Sequence, residues 1–183
     1  MRPAYRRLIA STALLASALS APAMAALAVG AQAPDFSAPA SIGGSEFEFK
    51  LADALKNGPV VLYFYPAAFT SGCTLEAHAF AEATEQFKAM GATVIGVSKD
   101  DIATLNRFSV SECRSKFAVA ADPKLAIAGA YDAKIPLVGY ANRTSYVIAP
   151  NGTVSYVYSA LSPDKHVANA LAAVQALKGD QGK

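Results

Sequence analysis

Cysteine and histidine are scarce in this sequence, with two of each in 183 residues. Cys73, Cys113, His78 and His166 fall into none of the usual zinc-ligand spacings, so no metal site is expected, and nothing calls for another cofactor. Beyond the first 25 residues no apolar run approaches the ~20 positions that a membrane-spanning helix needs. Lys and Arg form no cluster there either, which argues against nucleic acid or an anionic membrane surface as a partner. Internal repeats, low-complexity tracts and long linkers are also missing, so the chain reads as one unit.

What is present begins with a leader. Arg2, Arg6 and Arg7 precede an Ala- and Leu-rich stretch that ends in Ala23-Met24-Ala25. Charged, apolar and small-residue regions in that order describe a secretory signal cleaved near Ala25. An uncleaved anchor is the alternative, and the stretch is short and weakly apolar for one. Domain 1–25 is therefore expected to be a signal peptide and 26–183 a single domain, exported and most simply periplasmic. Setting 25 residues aside leaves 158, enough for one substantial core. Three of the 16 basic residues and none of the 14 acidic ones lie in the leader. The remainder carries 13 basic against 14 acidic residues, a formal charge of −1. In an exported chain two cysteines 40 positions apart can form one bridge.

Patterning predicts an α/β domain. Residues 31–40 read as an extended arm, 46–49 as a strand and 51–58 as a short helix closed by Asn57-Gly58. Residues 59–66 (PVVLYFYP) are continuously apolar and β-branched or aromatic, as in a strand buried on both faces. Phe80, Ala83, Phe87 and Met90 make a helical stripe over 74–90. A second buried strand is expected at 92–98, a helix at 100–113 and a third strand at 117–123. A helical piece near 125–131 follows. Asn151-Gly152 marks a hairpin within 143–159, and a final helix over 164–178 places Val167, Leu171, Val174 and Leu177 on one stripe. Strand–helix alternation followed by a hairpin and a covering helix implies a mixed central sheet with helices on both faces.

In that layout Cys73 lies just past the end of a central strand, at the start of the next helix. Open α/β sheets place ligands there, and the helix start favours an anionic sulfur, the nucleophilic form. Gly72 lets the backbone come close. From these residues alone Cys73 is either a reactive thiol or half of a static disulfide with Cys113.

The string PAAFTSGC over 66–73 resembles the P-x-x-x-T-x-x-C signature of peroxiredoxins, thiol peroxidases of thioredoxin-like fold. Thr74-Leu75-Glu76 after it is similar to the bacterioferritin-comigratory, or PrxQ-like, branch. RTSYVI over 143–148 followed by Pro150-Asn151-Gly152 resembles the family's Arg-bearing strand. The likeness runs from about residue 30 to 177. It implies a thioredoxin-like fold with an N-terminal β-hairpin extension. It also implies a peroxidase that reduces hydrogen peroxide or organic hydroperoxides with electrons from a thioredoxin-like or other dithiol donor.

Under this resemblance Cys73 is the peroxidatic cysteine and becomes sulfenic acid. Arg143 and Thr70 supply hydrogen bonds to the sulfur and the peroxide, and Pro66 covers the site. Many PrxQ-like proteins carry the resolving cysteine five residues after the peroxidatic one. Here that position is His78, a departure. Cys113, on the following helix, fits the placement of another subset and is the resolving candidate. If the helix persists, Cys113 shares a face with Ile102 and starts at least partly buried. Glu76 is either a partner that orients Arg143 or a solvated helix-face residue. His78 and His166 read as surface or packing residues, and 133–142 as an apolar rim. A monomer is favoured over a dimer. The competing readings are an exported thiol–disulfide oxidoreductase, which would want a C-x-x-C pair but has Thr70 in place of the first cysteine, and a non-catalytic domain with a static disulfide.

Overall fold

The computed structural model describes residues 26–181; the expected leader lies outside the described residues. Its organising element is β3 (Val60–Phe64), every residue of which is buried. β3 pairs in parallel with β4 (Thr93–Ser98) and antiparallel with β8 (Thr144–Ile148). Continuous Val, Leu, Tyr and Phe suit this position because both faces of the strand are covered.

Around β3 runs a seven-stranded sheet in the order β2-β1-β5-β4-β3-β8-β9. It adds β1 (Ser37–Ile42), β2 (Ser45–Lys50), β5 (Ala118–Ala121) and β9 (Val154–Ser159). On one face Val60, Leu62 and Phe64 pack with Leu51 of α1 (Leu51–Leu55), Ala128 of α4 (Ala126–Ala130) and Tyr131. On the other, Val61 and Tyr63 pack against Phe80 and Phe87 of α2 (Ser71–Ala89), Leu105 and Phe108 of α3 (Ile102–Ser111), and Ala170 and Val174 of α5 (His166–Gln181). The expected mixed sheet with helices on both faces is the observed architecture, and its order and layering are thioredoxin-like.

Three expectations need correction. The second half of the arm is β1, which forms a hairpin with β2 and also pairs with β5, so the N-terminal extension is part of the main sheet. Its turn, Gly43-Gly44, has φ of +56° and +79°, the left-handed region that glycine enters without steric cost. The final helix starts at His166, two residues later than expected. The third helix stops at Ser111 and does not carry Cys113. Asp101 caps its start by accepting a 2.7 Å bond from the Thr104 N–H. Its far end turns out through Arg114 and Ser115, at φ of +50° and +56°. Residues 133–142 form a separate ribbon of β6 (Lys134–Ile135) and β7 (Tyr140–Ala141), with Leu137 and Val138 exposed at its tip.

Candidate active site

β3 delivers the chain to the loop 65–70, and the loop delivers it to α2. One bond fastens that loop beyond the end of β4: the Ala68 N–H donates to Asp100 Oδ2 at 2.7 Å, and the Ser98 hydroxyl, at the end of β4, donates to the same oxygen at 2.7 Å. Phe69 adopts φ +63° and sets its ring edge-on against Phe108 of α3, centroids 5.2 Å apart. An aromatic residue in this conformation is unusual and needs surrounding structure to hold it. Thr70 is the N-cap of α2 with extended backbone, and Cys73 is the third helical residue, 2% exposed. The sulfur thus sits where the first-turn N–H groups and the helix dipole favour negative charge.

Arg143, immediately before β8, reaches this sulfur from 70 positions away. Its Nη2 donates to Cys73 Sγ at 3.5 Å, its Nε to the Leu161 carbonyl at 2.9 Å, and its Nη1 to Glu76 Oε2. The planar fork of donors makes three simultaneous bonds possible. A Cβ added at Gly72 would lie 3.1 Å from Nη2, so the absence of a side chain there clears the guanidinium's path to the sulfur. Glu76 is fully buried, which decides between its two readings: it is the partner that holds Arg143 and not a solvated glutamate. Burial pushes its carboxyl up to about 8, against the opposing pull of Arg143.

Pro66 is half-buried at the loop entrance. Thr70 is exposed, and its hydroxyl donates to the Ala67 carbonyl at 3.1 Å. Its lone pairs remain open, but a bond donated to a bound peroxide requires the hydroxyl to rotate.

Cys113 lies one residue past the helix cap Glu112, fully buried, with its N–H on the Phe108 carbonyl at 3.0 Å. Burial, helped by Glu112, pushes its thiol far up, so it rests as the neutral S–H. Both thiols are free, and both belong to the cluster that contains Tyr63, Tyr65, Phe108 and Phe117. The segment 112–116 is clipped to α2 from alternate residues: Glu112 meets His78 Nε2 at 2.9 Å, and Arg114 and Lys116 form ion pairs with Glu82 at 3.1 Å and Glu85 at 3.8 Å. His78, where many PrxQ-like proteins have their second cysteine, is therefore a surface partner of the Cys113 segment.

Reading the sequence alone left three contributors unassigned. Asp100, which opened the expected helix 100–113, lies before that helix and is the anchor of the loop before Cys73. Ser145 and His166 are fully buried and bonded to each other, Oγ to Nδ1, at 2.8 Å behind Glu76. Ser145 lay inside the RTSYVI string, but nothing local tied it to a histidine 21 positions away.

Residues 29–157 match the AhpC/TSA family. Peroxiredoxin Q of wheat (Triticum aestivum), a chloroplast protein, is 34% identical over 179 residues, covering 97% of this chain and 76% of its own length. Peroxiredoxin Q of rice (Oryza sativa subsp. japonica) is 38% identical over 124 residues, covering 67% of this chain; the match spans 57% of the rice protein. Among solved structures, peroxidoxin BcpB of Mycobacterium tuberculosis superposes with a TM-score of 0.74 at 32% identity, over 81% of this chain and 96% of that one. On sequence and structure together, the chain belongs to the AhpC/TSA family, in its peroxiredoxin Q and bacterioferritin-comigratory branch.

Proposed function

We propose that the protein is a two-cysteine thiol peroxidase that reduces hydrogen peroxide and small organic hydroperoxides. The observation that carries this reading is the buried contact between the Arg143 guanidinium and Cys73 Sγ at the start of α2. A permanent cation and a helix start both favour the anionic sulfur, and the guanidinium remains in place as a donor to the peroxide.

In the reaction the Cys73 thiolate attacks the terminal peroxide oxygen in line. The S–O bond forms as the O–O bond breaks. The leaving oxygen takes up a proton and departs as water or alcohol, and Cys73 is left as sulfenic acid. Charge grows on the leaving oxygen, where Arg143 and the first-turn N–H groups of α2 are already oriented. Pro66 limits access of water.

Cys113 then supplies the second thiol. Its sulfur displaces hydroxide from the sulfenic acid, releases a proton so that water departs, and leaves a Cys73–Cys113 disulfide. Both thiols are free and buried, and a disulfide needs Cα atoms within ~7 Å, so on this reading the loop 65–70 and the segment 112–116 open locally before the bridge forms. A dithiol donor reduces the bridge and closes the cycle. The chain is exported by its leader and works as a monomer in the periplasm. The Arg-rich start, apolar stretch and Ala23-Met24-Ala25 support the first point.

Competition with a haem peroxidase for hydrogen peroxide at ~pH 7 tests the reading. Reduced wild type is expected to react orders of magnitude faster than free cysteine. A rate no faster than free cysteine contradicts it, and a faster reaction with small disulfides than with peroxide favours a thiol–disulfide exchanger instead.

A further inference from the structure

One side chain that the proposed reaction does not use is shared by the surroundings of both thiols. Phe108 of α3 is fully buried. Its carbonyl accepts the N–H groups of Glu112 at 2.9 Å and Cys113 at 3.0 Å, so it closes the helix and fixes the start of the Cys113 segment. Its ring meets the loop before Cys73 twice. Tyr65, the first residue of that loop, stacks on it with centroids 5.6 Å and planes 21° apart. Phe69 approaches it edge-on, with centroids 5.2 Å and planes 87° apart. Phe108 therefore carries the Cys113 backbone on its main chain and the Cys73 loop on its ring.

Phe69 is the exposed half of this contact. Tyr65 and Phe108 are buried, whereas Phe69 is 47% exposed. Its backbone, at φ +63°, lies in a region that aromatic residues rarely enter, so its surroundings must hold it there. The outer side of the ring opens onto a hollow lined by Asn106, Arg107, Val110 and Ser111, which leaves it room to swing away. A strained backbone and a half-wet ring make a contact that opens readily. While closed, an edge-to-face pair still stabilises by more than its buried area.

We propose that Phe69 is a coupling latch: its edge-on contact with Phe108 ties opening of the loop 65–70 to release of the Cys113 segment. It is a positioning residue, because it acts on Cys113 only through Phe108. With the loop closed, its ring presses the last turn of α3 onto the core, and Cys113 stays sheltered. When the loop opens, Phe69 leaves Phe108, that turn loses an aromatic partner, and the Cys113 N–H comes free more easily. The inference rests on the reading of Cys73 and Cys113 as the reacting pair and adds an order of events to it: the second thiol emerges as the first one moves.

The test is a double-mutant cycle read on Cys113 without peroxide. In Cys73→Ser the chain keeps one cysteine, Cys113, and its alkylation by iodoacetamide, followed by intact mass, reports release of the segment. Asp100→Ala removes the acceptor of the Ala68 N–H and frees the loop without touching either ring. With Phe69 in place, freeing the loop is expected to speed alkylation about fivefold, the scale of one aromatic pair. Phe69→Asn and Phe69→Gly lose the ring but tolerate the left-handed backbone. In both, the same Asp100→Ala change is expected to add less than about twofold. Phe69→Tyr keeps the ring and should retain the full acceleration. Equal acceleration with and without the ring, as a general loosening by Asp100→Ala would give, overturns the latch. No acceleration in either, or Phe69→Tyr behaving like Phe69→Asn, overturns it too. One equivalent of hydrogen peroxide added to wild type separates the latch from the reaction it serves. Coupling without a Cys73–Cys113 disulfide overturns the reading of Cys113 as the second thiol; a disulfide without coupling overturns the latch alone.

Discussion

Arg143 is the residue on which the site converges. Lysine would keep the charge but cannot hold Glu76, the Leu161 carbonyl and the sulfur together, because an ammonium lacks the planar fork. Arg143→Lys is expected to lower the second-order rate constant with hydrogen peroxide by ~10²–10³, the loss typical of one misplaced donor in a preorganised site. Competition kinetics read this directly, and a loss under about tenfold would mean the guanidinium is dispensable. Cys73, Thr70, Pro66 and Arg143 were all legible as residue types at family spacings. Glu76 stood as one of two readings, partner of Arg143 or solvated residue, because that partner lies 67 positions away and no local pattern reports which side of a helix it covers. For the same reason His166 read only as a surface or packing residue: its burial comes from β8 and β9, not from its neighbours in sequence.

At the scale of elements, the proposed disulfide would need two segments to give way together, and each has its own fastening. The loop 65–70 hangs on Asp100. Asp100→Ala leaves the Ala68 N–H and the Ser98 hydroxyl without their shared acceptor, at a cost of about 1–3 kcal/mol. Its peroxide rate constant is expected to fall roughly tenfold as the Cys73 loop loses its fixed geometry, while far-ultraviolet circular dichroism stays unchanged. An unaltered rate would show that the loop is held by its packing alone. The segment 112–116 hangs on two exposed ion pairs and the Glu112–His78 contact, the ion pairs worth little singly and screened by salt. Raising ionic strength from low to ~0.5 M should therefore speed disulfide formation after oxidation by about two- to fivefold, followed by quenched mass spectrometry; a slower step would mean the pairs do not oppose opening. The helical period extends to Cys113 in the sequence, yet the helix stops at Ser111. No glycine marks that end, since Arg114 and Ser115 themselves take the left-handed conformation, so the usual stop signal was missing. In contrast, β3 and β4 were legible from their apolar runs and the β8–β9 hairpin from Asn151-Gly152, whereas the pairing of β1 with β5 depends on contacts about 80 positions apart.

For the whole molecule, the buried groups set how stability varies with pH. The Glu76 carboxyl is raised from 4.5 to about 8, so the folded state binds more protons than the unfolded one across that interval. Its contribution is full below pH 4.5 and is lost as pH rises through about 8. His166 is lowered from 6.5, so its contribution has the opposite sign and is lost only as pH falls below 6.5. Between pH 6.5 and 8 the Glu76 effect stands without that opposition. The denaturation midpoint is expected to fall across this window in wild type and to flatten in Glu76→Gln; a midpoint that rises there in wild type would place Glu76 in its ionised form throughout. Above that window the raised Cys113 thiol adds a loss of the same sign. Whether all of this serves peroxide chemistry is tested most directly by intact-mass measurement after one equivalent of hydrogen peroxide, on wild type and on each Cys→Ser variant. Wild type should lose two hydrogens, Cys113→Ser should gain one oxygen on Cys73, and Cys73→Ser should remain unchanged. Oxidation of Cys73→Ser at the wild-type rate, or oxygen gained at Cys113 in place of a disulfide, would contradict the roles assigned to the two thiols.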